Sequence, residues 1–327
     1  MGFRVSRKQP KYQALDSDVI ESEPPNQGAR GAAPAKMGDF MRSIGLFRAG
    51  IAALTLLTST TAYAGSGHQW GDYLWQTADA PLKLNVAYRF ANNAWVPYYE
   101  AALVKWEQND RSPLDLTNRG QDSATDPAIC TAKPGMVLVC AAAYGQTGWV
   151  GIASIEINGI YITEATAKFN DTYYATPQYN NDGQRQFVAC HEIGHTFALG
   201  HLDTSFYNRN KGSCMDYTAD PDGPPDNRNP GTVDWDVLNS TTMYGDLVIG
   251  KGKGGGGKPP KNLDPFEFRA VGAAAPAAPG GARGPWGVAV GYDADGRPNE
   301  FVLDRGNGRY KRTFVDWIPG HRPNLSN

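Results

Sequence analysis

The alternation of apolar and polar residues predicts a strand followed by a helix. From Leu82 onward the segment LKLNVAYRF alternates with a period of two, as a half-buried strand does. The next segment, WVPYYEAALVKWEQ, carries a row of large apolar residues at helical spacing: Trp95, Tyr99, Leu103 and Trp106. The folded part of the chain is therefore expected to begin with a β-strand and an α-helix.

Three later stretches predict further strands. They cover residues 137–141, 149–157 and 160–169, and the turn signal Asn158-Gly159 separates the last two. The order of elements so far, one helix among four strands, predicts an α+β fold.

Two helices are predicted after these strands. Residues 184–199 contain no glycine except Gly194 and predict one helix, with Asp182 as its candidate N-cap. A second helix is predicted at residues 232–244, after a stretch rich in Pro, Asn and Asp.

The first 64 residues have the pattern of a leader. Two arginines flank the start of an apolar run at residues 49–57, and the small-residue triplet Ala62-Tyr63-Ala64 follows it. This pattern predicts a secretory signal peptide cleaved after Ala64, with Met37 as an alternative translation start and a buried N-terminal helix as the alternative structure. Because the apolar run is too short to span a bilayer, we expect a secreted protein with no stable membrane anchor.

Composition divides the remainder into three segments. Residues 65–247 carry the predicted strands and helices and form the predicted main domain. Residues 248–285 are rich in Gly, Pro and Ala, which is typical of a flexible linker. Residues 286–327 predict a small β-rich C-terminal segment that either docks on the main domain or folds as a small unit of its own.

The charge of the chain narrows the classes of partner. The 327 residues include 31 basic and 33 acidic ones, and the leader contains eight of the basic and five of the acidic residues. Its removal changes the net charge from −2 to −5. Such a chain has no positive field for binding nucleic acid, so we expect no nucleic-acid partner, and we expect a monomer.

All four cysteines lie after the leader. An even number of cysteines in an exported protein predicts two disulfides, for which there are three connectivities. We favour the pairing of Cys130 with Cys140 and of Cys190 with Cys214. A zinc site built from thiolates is the alternative, but none of the spacings is that of a typical zinc-binding cysteine pair.

Three of the five histidines lie within the eleven residues HEIGHTFALGH. His191 and His195 are four residues apart, so on a helix they share one face and can bind one Zn²⁺ ion. Glu192 is rotated by about 100° around the axis and is suited to hold a water molecule without ligating the metal. His201 reaches the same ion only if the helix ends first, and Gly200 offers a break. Three imidazoles leave a fourth position open, as in catalytic zinc sites.

Acidic residues offer alternatives to this ligand set. The first glutamate after Glu192 is Glu267, beyond the linker, so the rivals of His201 are four aspartates: Asp220, Asp222, Asp234 and Asp236. The stretch DYTADPDGPPDNRN could also hold Ca²⁺, but it lacks the regular ligand spacing, and a solvated turn is favoured.

The histidine motif resembles that of the metzincins, a superfamily of zinc metalloendopeptidases with the signature HExxHxxGxxH and a Met-turn. The candidate Met-turn here is SCMDY, in which Met215 is expected beneath the metal. The spacing of Met215 and Tyr217 is similar to that in astacins and serralysins, where the equivalent tyrosine helps to stabilise the oxyanion. The family's glycine is Ala198 here, and because alanine disfavours the left-handed conformation, we expect the helix to run longer and to turn at Gly200.

The resemblance covers residues 82–247 and implies a metzincin-like catalytic domain with a twisted mixed sheet, an active-site helix and a C-terminal helix. It also implies an antiparallel edge strand at residues 149–157, along which an extended protein or peptide substrate would pair. A disulfide between Cys190 and Cys214 would fasten the active-site helix to the floor of the site.

The activity implied is zinc-dependent hydrolysis of peptide bonds. His191, His195 and His201 would bind Zn²⁺, Glu192 would act as the general base, and Tyr217 would support the oxyanion. Two other hypotheses remain: an exported, zinc-stabilised binding or adhesion module without turnover, and a hydrolase of a non-peptide amide or ester.

Overall fold

The computed structural model describes residues 68–77, 81–108, 110–240, 242–245 and 283–323, all of which belong to the unit Thr60–Asn327. The predicted leader, residues 1–64, lies outside the described residues, as does nearly all of the predicted linker, residues 248–285. The domain boundaries and the signal peptide therefore stay predictions.

The described elements alternate strands and helices in the first part of the chain and end with strands. The first part contains β1 (Leu74–Trp75), β2 (Leu82–Phe90), a 3₁₀ helix (Asn93–Trp95), α1 (Val96–Glu107), β3 (Leu114–Gln121), β4 (Met136–Ala142), β5 (Trp149–Asn158) and β6 (Tyr161–Asn170). The second part contains α2 (Asp171–Tyr174), α3 (Asp182–His195), α4 (Thr232–Leu238), β7 (Arg283–Gly284), β8 (Gly287–Tyr292), β9 (Pro298–Gly306) and β10 (Arg309–Trp317).

The described strands form one mixed sheet in the order β3-β2-β4-β6-β5-β10-β9-β8-β7, and β1 pairs with the first residues of β6. Strands β3, β2, β4 and β6 are parallel to one another, whereas every pair from β6–β5 to β8–β7 is antiparallel. This sheet and its few helices confirm the prediction of an α+β fold with a mixed sheet.

The apolar pattern located most of the elements that surround the histidines. The predicted strands and helices correspond to β2, α1, β4, β5, β6, α3 and α4, but the ends differ. The N-cap of α3 is Asn181 rather than Asp182, because the Asn181 side chain accepts a hydrogen bond from the backbone N–H of Gln184. The sequence LDLTNRGQ of β3 alternates too weakly to have predicted a strand.

The expected free edge at residues 149–157 is wrong. Strand β10 pairs antiparallel with β5 along its whole length, from Arg309 opposite Asn158 to Trp317 opposite Trp149. The physical reason is apolar burial, since Val315 and Trp317 of β10 pack with Trp149 of β5 in one buried cluster. The C-terminal segment is therefore part of the main sheet.

Helix α3 lies between α1 and the strands β5 and β6. The indole N–H of Trp106 on α1 donates to the carbonyl of Cys190 on α3 at 3.1 Å, and both residues are buried in the main apolar core. No helix in the described part of the chain has both the length and the apolar character needed to cross a bilayer.

Candidate metal centre

Two of the predicted ligands lie on the buried side of α3. His191 and His195 are one helical turn apart and fully buried. Gly194, between them, is required by packing: a Cβ at this position would lie 2.4 Å from Met215 Sδ and 2.6 Å from Trp106 Cζ2. The absence of a side chain at this one position lets Met215 and α1 approach the ligand-bearing turn.

The third ligand reaches the site because the chain turns at Ala198. Helix α3 ends at His195, and the N–H groups of residues 196–198 then donate to carbonyls three residues earlier. Ala198 follows with a φ of 70°, so the expected longer helix with a turn at Gly200 is wrong. Full burial and the hydrogen bond from Trp70 N–H to the Ala198 carbonyl, at 2.6 Å, hold alanine in this conformation.

The structure brings the Nε2 atoms of the three histidines together. His195 Nε2 lies 3.1 Å from His191 Nε2 and 3.1 Å from His201 Nε2. The three ligand atoms lie within 4.8 Å of one another and could hold a metal ion. We call His191, His195 and His201 the three-histidine centre.

Backbone carbonyls orient two of these rings. Nδ1 of His191 lies 2.6 Å from the Cys214 carbonyl, and Nδ1 of His195 lies 2.7 Å from the Leu199 carbonyl. A carbonyl only accepts, so each Nδ1 is the protonated nitrogen and each Nε2 carries a lone pair. Two acceptor nitrogens 3.1 Å apart cannot satisfy each other, whereas a shared cation would satisfy both.

Burial keeps the three-histidine centre neutral. It lowers the pKa of His191 to about 4, against a smaller opposing effect of the hydrogen bond to the Cys214 carbonyl. Burial also lowers the pKa of His195 and of His201 well below the usual value, and the neighbouring histidines add to this shift. Neutral imidazole is the form that binds metals, so the ligands are in their binding state at neutral pH.

Glu192 lies beside the centre without a hydrogen-bond partner. It is fully buried, and neither carboxylate oxygen is hydrogen-bonded among the described residues. Burial raises its pKa well above the ordinary value, and Asp316 adds to the shift. The carboxylate occupies the space where Gly151 of β5 lacks a side chain, because a Cβ on Gly151 would lie 2.1 Å from Glu192 Oε1. A buried, unsatisfied carboxylate of this kind is typical of functional sites.

Both favoured disulfides form, Cys130–Cys140 and Cys190–Cys214. The second joins the residue before His191 to the residue before Met215, so it ties α3 to the segment below it. Met215 is fully buried in the main core, next to Gly194. The two disulfides are consistent with an extracellular protein.

Tyr217 lies against the three-histidine centre. Its ring centroid is 4.5 Å from that of His201 and 5.7 Å from that of His191. Asn299 Nδ2 donates to the Tyr217 hydroxyl oxygen at 3.2 Å, which leaves the hydroxyl proton free to donate elsewhere. Burial, with Asp316 next, raises the pKa of Tyr217 well above its ordinary value, so this hydroxyl stays protonated.

Three residues that the sequence did not indicate complete the surroundings of the centre, all from the C-terminal segment: Asn299, Phe314 and Asp316. The Phe314 ring lies 4.5 Å from the rings of both His195 and His201, measured between centroids. A carboxylate oxygen of Asp316 forms a second ligand group with His191 and Glu192, within 4.8 Å. Phe314 and Asp316 alternate in RTFVDW and so share one strand face, which is the signal that could have indicated them.

The four rival aspartates lie elsewhere. Neither ligand group of the described residues contains Asp220, Asp222, Asp234 or Asp236. Asp234 is buried and accepts hydrogen bonds from the Ser213 hydroxyl, while His68 lies 2.7 Å from it. The Asp-rich stretch proposed for Ca²⁺ likewise forms no group of three ligands there.

Neither protein-family models nor curated proteins match this chain. The geometry of the three-histidine centre and the side chains around it are therefore the basis for inferring the function.

Proposed function

We propose that this chain is a zinc-dependent endopeptidase of metzincin type. The observation that carries the proposal is the convergence of three histidine Nε2 atoms beside the unpaired, buried carboxylate of Glu192. Three histidines with an adjacent glutamate are a donor set suited to metal-assisted hydrolysis, in which the glutamate handles the proton of water.

Zinc fits the donor set. Imidazole nitrogen is a preferred zinc ligand, and tetrahedral ligands about 2.0–2.1 Å from Zn²⁺ stand roughly 3.3 Å apart. The Nε2 separations of 3.1 Å agree with this spacing. When bound, Zn²⁺ supplies Lewis acidity to a carbonyl and lowers the pKa of water toward neutrality.

Glu192 and Tyr217 would carry out the proton transfer and charge stabilisation. Glu192 accepts the proton of the attacking water and passes it to the nitrogen of the leaving amine. Tyr217 donates its hydroxyl proton to the carbonyl oxygen as that atom gains negative charge, while Asn299 holds the hydroxyl from its other side. The surrounding buried side chains exclude bulk water and so strengthen both interactions.

The fold supports the resemblance to metzincins in outline. Helix α3 lies against β5 and β6, and the buried Met215 lies next to the ligand-bearing turn. The Ala198 conformation gives the turn that the family's glycine provides. We propose a secreted, monomeric enzyme that acts on protein or peptide substrates lying beside the three-histidine centre.

Two other functions share the three-histidine centre. A binding or adhesion module would keep the metal but need no general base, so the unpaired Glu192 favours an enzyme over it. A hydrolase of a non-peptide amide or ester would use the same residues, and only substrate tests separate it from a peptidase.

The test combines metal analysis with hydrolysis assays on the chain from Gly65 onward. We expect one zinc per chain, chelator-sensitive cleavage of casein, and at least a hundredfold loss in Glu192→Ala with zinc retained. Glu100→Ala, an exposed glutamate on α1, is the matched control and should keep full activity. Zinc-loaded Glu192→Ala with wild-type activity would show that the general base is misassigned. Zinc without peptide cleavage, in both the wild type and an Asp316→Asn variant, would refute the peptidase proposal.

A further inference from the structure

The C-terminal strand lies where the proposed peptidase would bind its substrate. We use the word groove for the space between β5 and the three-histidine centre. Strand β10 pairs antiparallel with β5 over nine residues, from Arg309 to Trp317, which is the pairing that an extended peptide would make. Its backbone therefore uses the hydrogen-bonding groups of β5 that a substrate would need.

The side chains of β10 alternate between two environments. Val315 and Trp317 point into the small apolar cluster with Trp149. Phe314 points the other way, into the main core, where its ring centroid lies 4.1 Å from that of Trp70 and 4.5 Å from that of His195. The aromatic ring therefore covers the centre from the groove side.

Asp316 is the residue of β10 that comes nearest to Glu192. It stands opposite Gly151, the position whose missing side chain leaves room for the Glu192 carboxylate. The Asp316 side chain is buried, and its Oδ1 has no hydrogen-bond partner among the described residues. Two buried carboxylates this close, each with an unsatisfied oxygen, are stable only beside a shared cation or a shared proton.

The rest of the C-terminal segment holds β10 in place. Arg297 pairs with Asp293 at 2.7 Å and donates to the carbonyl of Ile318 at 2.9 Å, just after β10 ends. Trp70, beside the centre, donates its indole N–H to Glu300 of β9 at 2.8 Å. The first contacts tie the end of β10 to the turn before β9, and the last ties β9 to Trp70 beside the centre.

With β10 in place, the general base and two of the three histidines are shielded from solvent. Glu192, His191 and His195 have no exposed surface, and His201 is partly exposed. The adjoining pocket, lined among others by Val150, Phe187 and Asp316, has a volume of about 20 Å³, which is room for a single water molecule.

We propose that β10 is an internal occupant of the groove, that Asp316 is a further ligand-capable residue of the metal centre, and that the folded chain is a closed form of the enzyme. This inference rests on the proposed function, because the groove is a substrate site only if the chain is a peptidase. A substrate gains access only when the segment 283–323 leaves β5, and Asp316 must then leave the centre as well.

The first test measures the coordination of the metal and needs no hydrolysis. The chain is loaded with Co²⁺, and its visible absorption spectrum is compared among the wild type, Asp316→Asn and Asp295→Asn. Asparagine keeps the shape of the side chain, and Asp295 is the matched control, since it is an exposed residue of the β8–β9 turn whose one ion pair, to Arg297 at 3.7 Å, is long. We expect a changed spectrum for Asp316→Asn alone. Acetohydroxamate should shift the spectrum of Asp316→Asn but not that of the wild type. Identical spectra and identical responses in all three proteins would overturn the inference.

The second test measures access to the groove through the rate of peptide cleavage. Asp316→Asn should cleave an unstructured peptide roughly tenfold faster or more, the size expected when one charge-assisted contact is lost from the closed form. A synthetic peptide of residues 309–319 should inhibit this variant, and the same peptide with an Asp316→Asn change should inhibit it more weakly. Equal rates for the wild type and Asp316→Asn, without peptide inhibition, would overturn the closed form while leaving the peptidase standing.

The two proposals fail in different ways. A changed Co²⁺ spectrum with no hydrolysis by any variant would refute the peptidase and leave Asp316 at the metal centre. Hydrolysis by the wild type at the rate of Asp316→Asn would refute the closed form only.

Discussion

Gly151 offers a way to displace the general base without touching any metal ligand. A Cβ added at this position would lie 2.1 Å from Glu192 Oε1 and 2.7 Å from Cδ. Ordinary contact between such atoms begins at about 3.4 Å, so the carboxylate must move by roughly 1.3 Å in Gly151→Ala. The atoms in the way belong to the end of a flexible side chain, so Glu192 is expected to move rather than the strand.

A displacement of this size should be visible in catalysis. Misplacing a catalytic group by about 1 Å costs on the order of a hundredfold in rate, or about 2.7 kcal/mol of transition-state stabilisation. We therefore expect Gly151→Ala to lower kcat by roughly a hundredfold, with KM and zinc content unchanged. The free energy of unfolding should change by no more than about 1 kcal/mol, since alanine restricts the unfolded strand slightly more than glycine.

The assay is peptide hydrolysis with zinc analysis, in the Asp316→Asn background so that the groove is open. The Glu192→Gln variant provides the control, because Gly151→Ala should have less than about a twofold further effect when the base is already absent. Two results would refute the reasoning: unchanged kcat in Gly151→Ala, or the same hundredfold loss in the presence and in the absence of the Glu192 carboxylate.

Two further predictions concern stability. Removal of the metal with a chelator should lower Tm by about 5–11 °C if the metal is present at a hundred times its Kd, and His195→Ala should show no such shift in calorimetry. Replacing Cys190 and Cys214 by alanine opens a loop with a sequence separation of 24 and should lower the free energy of unfolding by about 3.5 kcal/mol. It should also weaken metal binding. The same change at Cys130 and Cys140, with a separation of 10, should cost about 2.7 kcal/mol and leave metal binding intact; equal metal affinity in the two double variants would contradict this.

The sequence predicted the local parts of the site well. His191, Glu192 and His195 are placed by the geometry of one helix, so their spacing was enough to bring them together. The turn at Ala198 was predicted wrongly, because intrinsic preference disfavours alanine there while burial and the hydrogen bond from Trp70 impose the conformation. Neither effect can be read from the eleven residues themselves.

The contribution of the C-terminal segment could not be predicted from the pattern. Periodicity indicates that RYKRTFVDW is a strand, but it does not say which strand it pairs with. Strands β5 and β10 are more than 150 positions apart in the chain, and their pairing depends on the match between their apolar faces. Asp316 and Phe314 therefore became part of the site only through the fold.

The pairing of β10 with β5 also affects the solubility of the protein. Strand β5 is ten residues long, and it contributes Trp149 and Ile152 to the small apolar cluster. Without β10 it would present a long row of unpaired backbone groups beside Trp149 and Ile152, which is a template for association with other chains. A fragment that ends at residue 247 would lack β10 and carry this exposed edge. We therefore expect such a fragment to aggregate. An open form of the enzyme would expose the same edge whenever no peptide is bound to β5.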